Sequence, residues 1–137
     1  MSKPYRIQVF GKMDCDKCKT LNQRLDKLLE KEEWQDFEKV YYDLLTVDGL
    51  VAFSEAECIN PQRIPAMLVM RLDEATGGYV PVANARPGKH DDVCGAARLY
   101  PFLGLQTDYS DRGRGIISPR MVTAVLSEAR PASAVAA

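Results

Sequence analysis

Two cysteines stand three positions apart in Asp14-Cys15-Asp16-Lys17-Cys18. At a junction between a strand and a helix, that spacing is the arrangement of a redox dithiol. The first thiol falls at the helix N-terminus, where unpaired N–H groups and the helix dipole favour a thiolate. The second lies one turn on, close enough to close a disulfide with little backbone movement. The chemistry this predicts is disulfide exchange: Cys15 attacks a substrate disulfide, and Cys18 resolves the mixed disulfide by attacking the Cys15 sulfur. Cys18, on the apolar side of the helix, is expected to keep the higher pKa and to wait protonated. A second chemistry competes. His90-x-x-x-Cys94 has a ligand-like spacing, and with Cys15 and Cys18 it makes a four-ligand metal set, for zinc or a bridged iron–sulfur cluster. The plainer reading has His90 as a solvated residue at a helix start, and Cys58 and Cys94 as small packed apolar ones.

The dithiol needs elements to hold it, and the surrounding pattern supplies them. Tyr5, Ile7 and Val9 alternate with Arg6, Gln8 and Phe10, as in a strand with two unlike faces. Gly11-Lys12-Met13-Asp14 breaks that period, after which Cys18, Leu21, Leu25, Leu28 and Leu29 recur at helical spacing. Residues 30–37 extend that helix or form a charged connection, with Trp34 and Phe37 in the core. Val40-Tyr41-Tyr42-Asp43-Leu44-Leu45 reads as a second strand. Asp48 is the expected cap of a short helix over 49–58, with Leu50 and Phe53 inward and Asn60-Pro61 as its stop. The apolar run 64–72 predicts a buried strand. Residues 79–83 return as its hairpin partner, and Pro81 places that partner at a sheet edge. A short helix is expected over 91–100, then an irregular loop over 101–115. Ser118-Pro119 starts a last helix with Met121, Val122, Val125 and Leu126 on its apolar face, stopped by Pro131 before a frayed tail.

Composition narrows the classes of function. The 137 residues, 46% apolar and 27% charged, read as one globular domain. A net charge of −1 offers no electrostatic footprint for nucleic acid or a membrane surface, and no apolar run approaches a bilayer span. The N-terminus shows no signal core, and four unevenly spaced cysteines do not make a secreted disulfide scaffold. A reducing, cytoplasmic setting with a cycling dithiol is the expectation.

The order β-α-β-α-β-β-α, the Cys-x-x-Cys opening the first helix and Ile64-Pro65 opening the third strand resemble the thioredoxin-like fold, closest to glutaredoxins and glutaredoxin-like thioredoxins. The resemblance implies an α/β fold with a mixed four-stranded sheet flanked by helices. It spans about residues 5–100, leaving 101–137 as a loop-plus-helix extension of a single domain. It implies that Pro65 is cis beside the dithiol and turns the Ile64 backbone toward an extended substrate. Lys12 stands where glutaredoxins carry a lysine that helps hold glutathione, and Arg63-Ile64-Pro65 takes the place of their Thr-Val-Pro. Their Gly-Gly-x-Asp is matched in part by Gly88-Lys89-His90-Asp91-Asp92, making Gly88 and Asp91 candidate substrate contacts. Between the cysteines stands Asp16-Lys17, where glutaredoxins have Pro-Tyr and thioredoxins Gly-Pro. Around Cys15, Lys12, Lys17 and Arg63 favour the thiolate while Asp14 and Asp16 oppose it.

The function this implies is a thiol–disulfide oxidoreductase acting on a protein disulfide or on glutathione. No bound cofactor is expected; glutathione is a candidate co-substrate, and a reductase is the other candidate electron donor. The contrasting readings are the metal site above, and a non-catalytic binding module whose 101–115 loop docks onto a partner. In that loop Tyr100, Phe102 and Tyr109 are expected to anchor it to the body of the domain.

Overall fold

Alternation in the first segment produces strand β1 (Tyr5–Gly11), with Ile7 and Val9 pointing into one core and Phe10 into another. The computed structural model describes residues 3–12, 14–56, 60, 63–84, 93–94, 97–99, 102–111 and 113–130. From β1 the chain enters helix α1 (Asp16–Leu29), whose Cys18, Leu21 and Leu25 form the buried stripe expected from their spacing. A single 3-10 turn, Glu32–Trp34, links it to β2 (Phe37–Asp43), so the charged stretch is a connection rather than more helix. β2 lies parallel to β1, with Val9 opposite Tyr41 and Gly11 opposite Asp43.

Helix α2 (Val47–Glu55) differs from its sequence pattern in two ways. Thr46, not Asp48, is the cap: its hydroxyl accepts the Gly49 N–H at 3.0 Å, and the helix ends at Glu55 rather than at 58. Leu50 does not face inward but is 54% exposed, while Ala52 and Phe53 pack on the sheet. The reason is Gly49. A Cβ there would run into the Asp43 carbonyl, so the helix seats its side-chain-free position on the end of β2 and turns Leu50 outward.

Strand β3 (Ala66–Leu72) runs antiparallel to β1, and β4 (Tyr79–Pro81) antiparallel to β3 at the edge where Pro81 needs no ladder donor. Met67 and Val69 feed one core and Ala66, Leu68 and Met70 the other. Burial on both faces is why this run is apolar without alternation. The strand order β2-β1-β3-β4, with β1 and β2 parallel and β3 reversed, is that of the thioredoxin-like fold.

The stretch read as irregular holds a further strand, β5 (Gly104–Gln106), which pairs with β3 beside β4. Its opening glycine looks like loop punctuation in the sequence. In space it permits close approach, since a Cβ at Gly104 would meet the Met67 carbonyl and the Leu99 side chain. Helix α3 (Pro119–Ala129), capped by Ser118, then lays Met121, Val122, Val125, Leu126 and Ala129 on the same sheet face as α1. Arg130 fastens its end: the guanidinium pairs with both Asp36 oxygens, at 2.7 and 3.1 Å, and lies over the Trp34 ring. Trp34 and Phe37 are buried, as expected. The helix expected over 91–100 lies largely outside the described residues, as do the tail at 131–137, Cys58, His90 and Tyr100. Among the described residues, no helix is long and apolar enough to cross a membrane.

Because Leu126 is fully buried in the core that α1 and α3 share, Leu126→Ala should cost about 2–5 kcal/mol in urea unfolding. A loss below about 0.5 kcal/mol, the range of peripheral surface positions, would mean that α3 is not part of that core.

Candidate active site

Helix α1 begins with sulfur. Cys15 sits at the N-cap in extended conformation, and its Sγ accepts the Cys18 N–H at 3.2 Å, satisfying one of the donors that open every helix. Serine or aspartate usually fills this place. Here the cap is itself the candidate nucleophile, and it is half-buried. A turn precedes it, closed by the Cys15 N–H on the Lys12 carbonyl at 3.2 Å.

Cys18, one turn on, has no exposed surface. Burial, followed by its hydrogen bond with Cys15, pushes its pKa up to about 12, against the smaller opposing pull of the Lys12 backbone and ammonium. The two thiols are thus unlike: one at the surface end of the turn, one sealed beneath it. Cys15 is half-buried and Cys18 fully buried, as the placing of Cys18 on the apolar side of the helix led one to expect.

What seals Cys18 is the end of β1. Gly11 continues the Ile7–Val9 face, so a side chain there would point at α1. A Cβ on Gly11 would stand 2.9 Å from both Cβ and Sγ of Cys18 and 2.8 Å from the Tyr41 hydroxyl. Tyr41, on the same face of β2, therefore brings its phenol next to the buried sulfur. Desolvation first, then the nearness of Cys18, Asp43 and Cys15, raises its pKa to about 12. Nothing in the sequence pattern singles out Tyr41. Only the parallel register of β1 and β2 carries it there.

On the other side of the dithiol the Ile64–Pro65 peptide is cis, as the resemblance implied. Pro65 shares a groove of about 180 Å³ with Lys17, Thr20, Leu21 and Arg24 of α1 and with Gly115, Ile116 and Ile117. The segment after β5 holds this corner. The Thr107 hydroxyl donates to the Pro65 carbonyl at 2.6 Å, and its N–H is shared between the carbonyls of Arg63 and Pro65. The Tyr109 hydroxyl donates to the Ile64 carbonyl at 2.5 Å, and the Lys17 ammonium lies 4.6 Å from the Tyr109 ring centre. Burial, then the proximity of Cys15 and Cys18, raises the Tyr109 pKa.

The residues named from sequence are distributed as follows. Cys15, Cys18 and Lys12 meet at the start of α1, and Pro65 lines the groove on its flank, while the Ile64 side chain is buried in the core that holds Phe10. Arg63 turns its guanidinium to the Thr107 carbonyl, at 2.8 Å, and so holds the loop. Gly88 and Asp91 lie outside the described residues. Cys94 is buried in the larger core with its thiol on the Met121 carbonyl, and no group of three or more metal-binding side chains gathers among the described residues. Phe102 and Tyr109 anchor the loop as expected, through packing and the Ile64 hydrogen bond respectively.

No protein-family model matches the chain, and no curated protein matches it. Among solved structures it is similar to oxidized mitochondrial thioredoxin 3 from Saccharomyces cerevisiae, with 20% identity and a TM-score of 0.42. The match covers 57% of this chain and 63% of that one, less than two thirds of its length.

Two outcomes follow from the packing around Cys18. Gly11→Ala forces a methyl into the contact between Cys18 and Tyr41 and should destabilise the fold by about 1–3 kcal/mol in chemical unfolding; an unchanged midpoint would show that the contact is loose. The pH dependence has a definite sign. The Cys18 thiol ionises near 9.0 when unfolded but near 12 when folded, so between those values the unfolded chain holds fewer protons. The contribution of this thiol to stability is level below about pH 9 and declines as the pH rises from there toward 12. Tyr41, raised from 10.0 to about 12, adds to the same decline. Urea unfolding across this range should show a shallower decline for Cys18→Ala; an identical slope would contradict the burial of that thiol.

Proposed function

We propose that the chain is a thiol–disulfide oxidoreductase, with Cys15 as its nucleophile and Cys18 as its resolving thiol. The observation that carries this reading is the asymmetry of two sulfurs on one helical turn: Cys15 half-exposed at the cap, Cys18 fully buried and held protonated. The Cys15 thiolate attacks one sulfur of R–S–S–R′. A Cys15–SR bond forms, the S–S bond breaks, and R′ leaves with the electron pair and takes a proton from water. Cys18 then loses its proton and attacks the Cys15 sulfur; the intramolecular disulfide forms and R leaves as a thiol. The dithiol has given up two electrons and two protons, and the substrate has become two thiols.

The groove along Pro65, walled by Lys17, Thr20 and Arg24 of α1, is the place for the R group, with Lys12, Arg63 and Ile64 as the further contacts the resemblance implies. Lys12 and the basic residues Lys17 and Arg24 suit a substrate that carries carboxylates, glutathione among them, as a glutaredoxin-like protein would use. A protein disulfide is the other substrate class. Gly88 and Asp91 complete the glutathione reading through the partial motif in which they stand. Reducing equivalents come from glutathione or a reductase, with no bound cofactor, in a reducing setting such as the cytoplasm.

Insulin reduction with dithiothreitol and reduction of a glutathione mixed disulfide, run side by side, separate the two substrate classes. Cys15→Ser should lower the active assay about a hundredfold or more. Cys18→Ser should stall with one substrate thiol retained on Cys15, visible by mass. Equal alkylation rates for both thiols, or full activity in Cys15→Ser, would overturn the assignment.

A further inference from the structure

Resolution asks a buried, protonated sulfur to become an anion, and the Lys12 ammonium acts on it less than the burial that opposes ionisation. The group nearest to hand is the Tyr41 phenol. Its hydroxyl and the Cys18 sulfur flank the same point, where a Gly11 side chain would be, at 2.8 and 2.9 Å from it. The two atoms are therefore no farther apart than those lengths laid end to end. No hydrogen bond among the described residues engages the Tyr41 hydroxyl, whereas that of Tyr79 lies between the Lys3 carbonyl and the Glu38 carboxylate and that of Tyr109 donates to the Ile64 carbonyl. Tyr41 is held by packing against the larger core, and its neighbour Tyr42 faces the opposite way, stacked on Phe10. The ring is fixed and the hydroxyl is unspent.

We propose that Tyr41 is the positioning residue for Cys18, donating its hydroxyl hydrogen to the Cys18 sulfur as that sulfur takes on charge in the resolving step. The proposal rests on the dithiol reading above and adds to it a group that acts on one half-reaction only. A phenol suits the role because it stays neutral, and so remains a donor, at any pH where the protein works. When Cys18 attacks, its proton leaves to water, the developing thiolate receives the Tyr41 O–H, and the Cys15–Cys18 bond forms as the substrate thiolate departs. The hydrogen bond is stronger to the thiolate than to the thiol, so it lowers the barrier rather than deepening the resting state. The same donor serves the reverse step, in which Cys18 is the leaving group. The other ionisable groups acting on this pair are Lys12 from the end of β1, Asp43 from the end of β2 and Cys15 from the start of α1. Lys12 is exposed and Asp43 disfavours an anion, which leaves the half-buried Tyr41 as the neutral donor beside the sulfur.

Reduced protein mixed with a chromogenic aromatic disulfide separates the two steps. Attack by Cys15 releases one coloured thiol, and resolution by Cys18 releases a second in a phase that Cys18→Ser lacks. Tyr41→Phe keeps the ring and its packing. It should leave the first phase and the thermal midpoint unchanged and slow the second about tenfold or more, as expected for a lost hydrogen bond to a charged group. A ring-fluorinated tyrosine encoded at position 41, close in size and more acidic at the hydroxyl, should keep the second phase at or above the parent rate. A merely structural role would not track that acidity. A second phase of parental speed in Tyr41→Phe, or one slowed equally by phenylalanine and by the fluorinated residue, overturns the role of Tyr41 and leaves the dithiol reading standing. Parent protein with no second phase at all overturns the dithiol reading, and the proposal with it.

Discussion

The distance between the start of α1 and the end of β1 governs the chemistry of this molecule. At Gly11 there is no side chain to keep them apart, so the first turn of α1 settles onto the strand and pushes Cys18 out of water. A thiol loses more by ionising there than it does in solvent, which is why burial is the leading cause of its raised pKa. The same close seat leaves Cys15, three residues earlier, at the lip of the turn, where its sulfur replaces the missing carbonyl acceptor for the Cys18 N–H. One glycine thereby separates two chemically identical side chains into an outer and an inner thiol.

The second support comes from the far end of the chain. β5 fills the place next to β3 that β4 is too short to cover, and from it the chain passes directly under the cis-proline corner. Thr107 and Tyr109 together satisfy the carbonyls of Ile64 and Pro65, and Arg63 returns a bond to the Thr107 carbonyl. Buried carbonyls without partners are costly, so this exchange locks the loop and the corner to each other. Tyr109 then meets Lys17 above the helix start. The groove beside the dithiol has one wall from the middle of the chain and one from its C-terminal part.

The two sheet faces are covered unequally. One carries α1, α3 and the Trp34–Phe37 pair, tied at the edge by Arg130 and by the Arg98–Glu128 pair at 2.5 and 2.6 Å. The other carries α2, with Phe53 edge-on to Phe10, while Leu45, Val47, Leu50 and Val51 stay largely in solvent. Helix α1, with its two thiols, and Tyr41 lie on the first face, whereas the Ile64 side chain packs in the core of the second.

Local pattern was enough for much of this. The strand period of residues 5–10, the leucine spacing of α1, the doubly buried run of β3 and the Ser118-Pro119 start were all legible, because each reflects neighbours within a few residues. So was the closeness of Cys15 and Cys18, whose spacing requires only one helical turn. Where glycine was involved, the local pattern misled. Gly49 read as an ordinary helix start and Gly104 as part of an irregular loop, yet both mark places where backbone meets backbone, at the carbonyls of Asp43 and Met67. Tyr41 was invisible as well: its nearness to Cys18 follows from the register of two parallel strands, and register has no local signature. The amino-acid sequence by itself determined which sulfurs could react and which elements would carry them. Tertiary structure alone decided how completely Cys18 is shielded, which phenol stands beside it and which loop braces the proline, since close approach is a property of segments brought together.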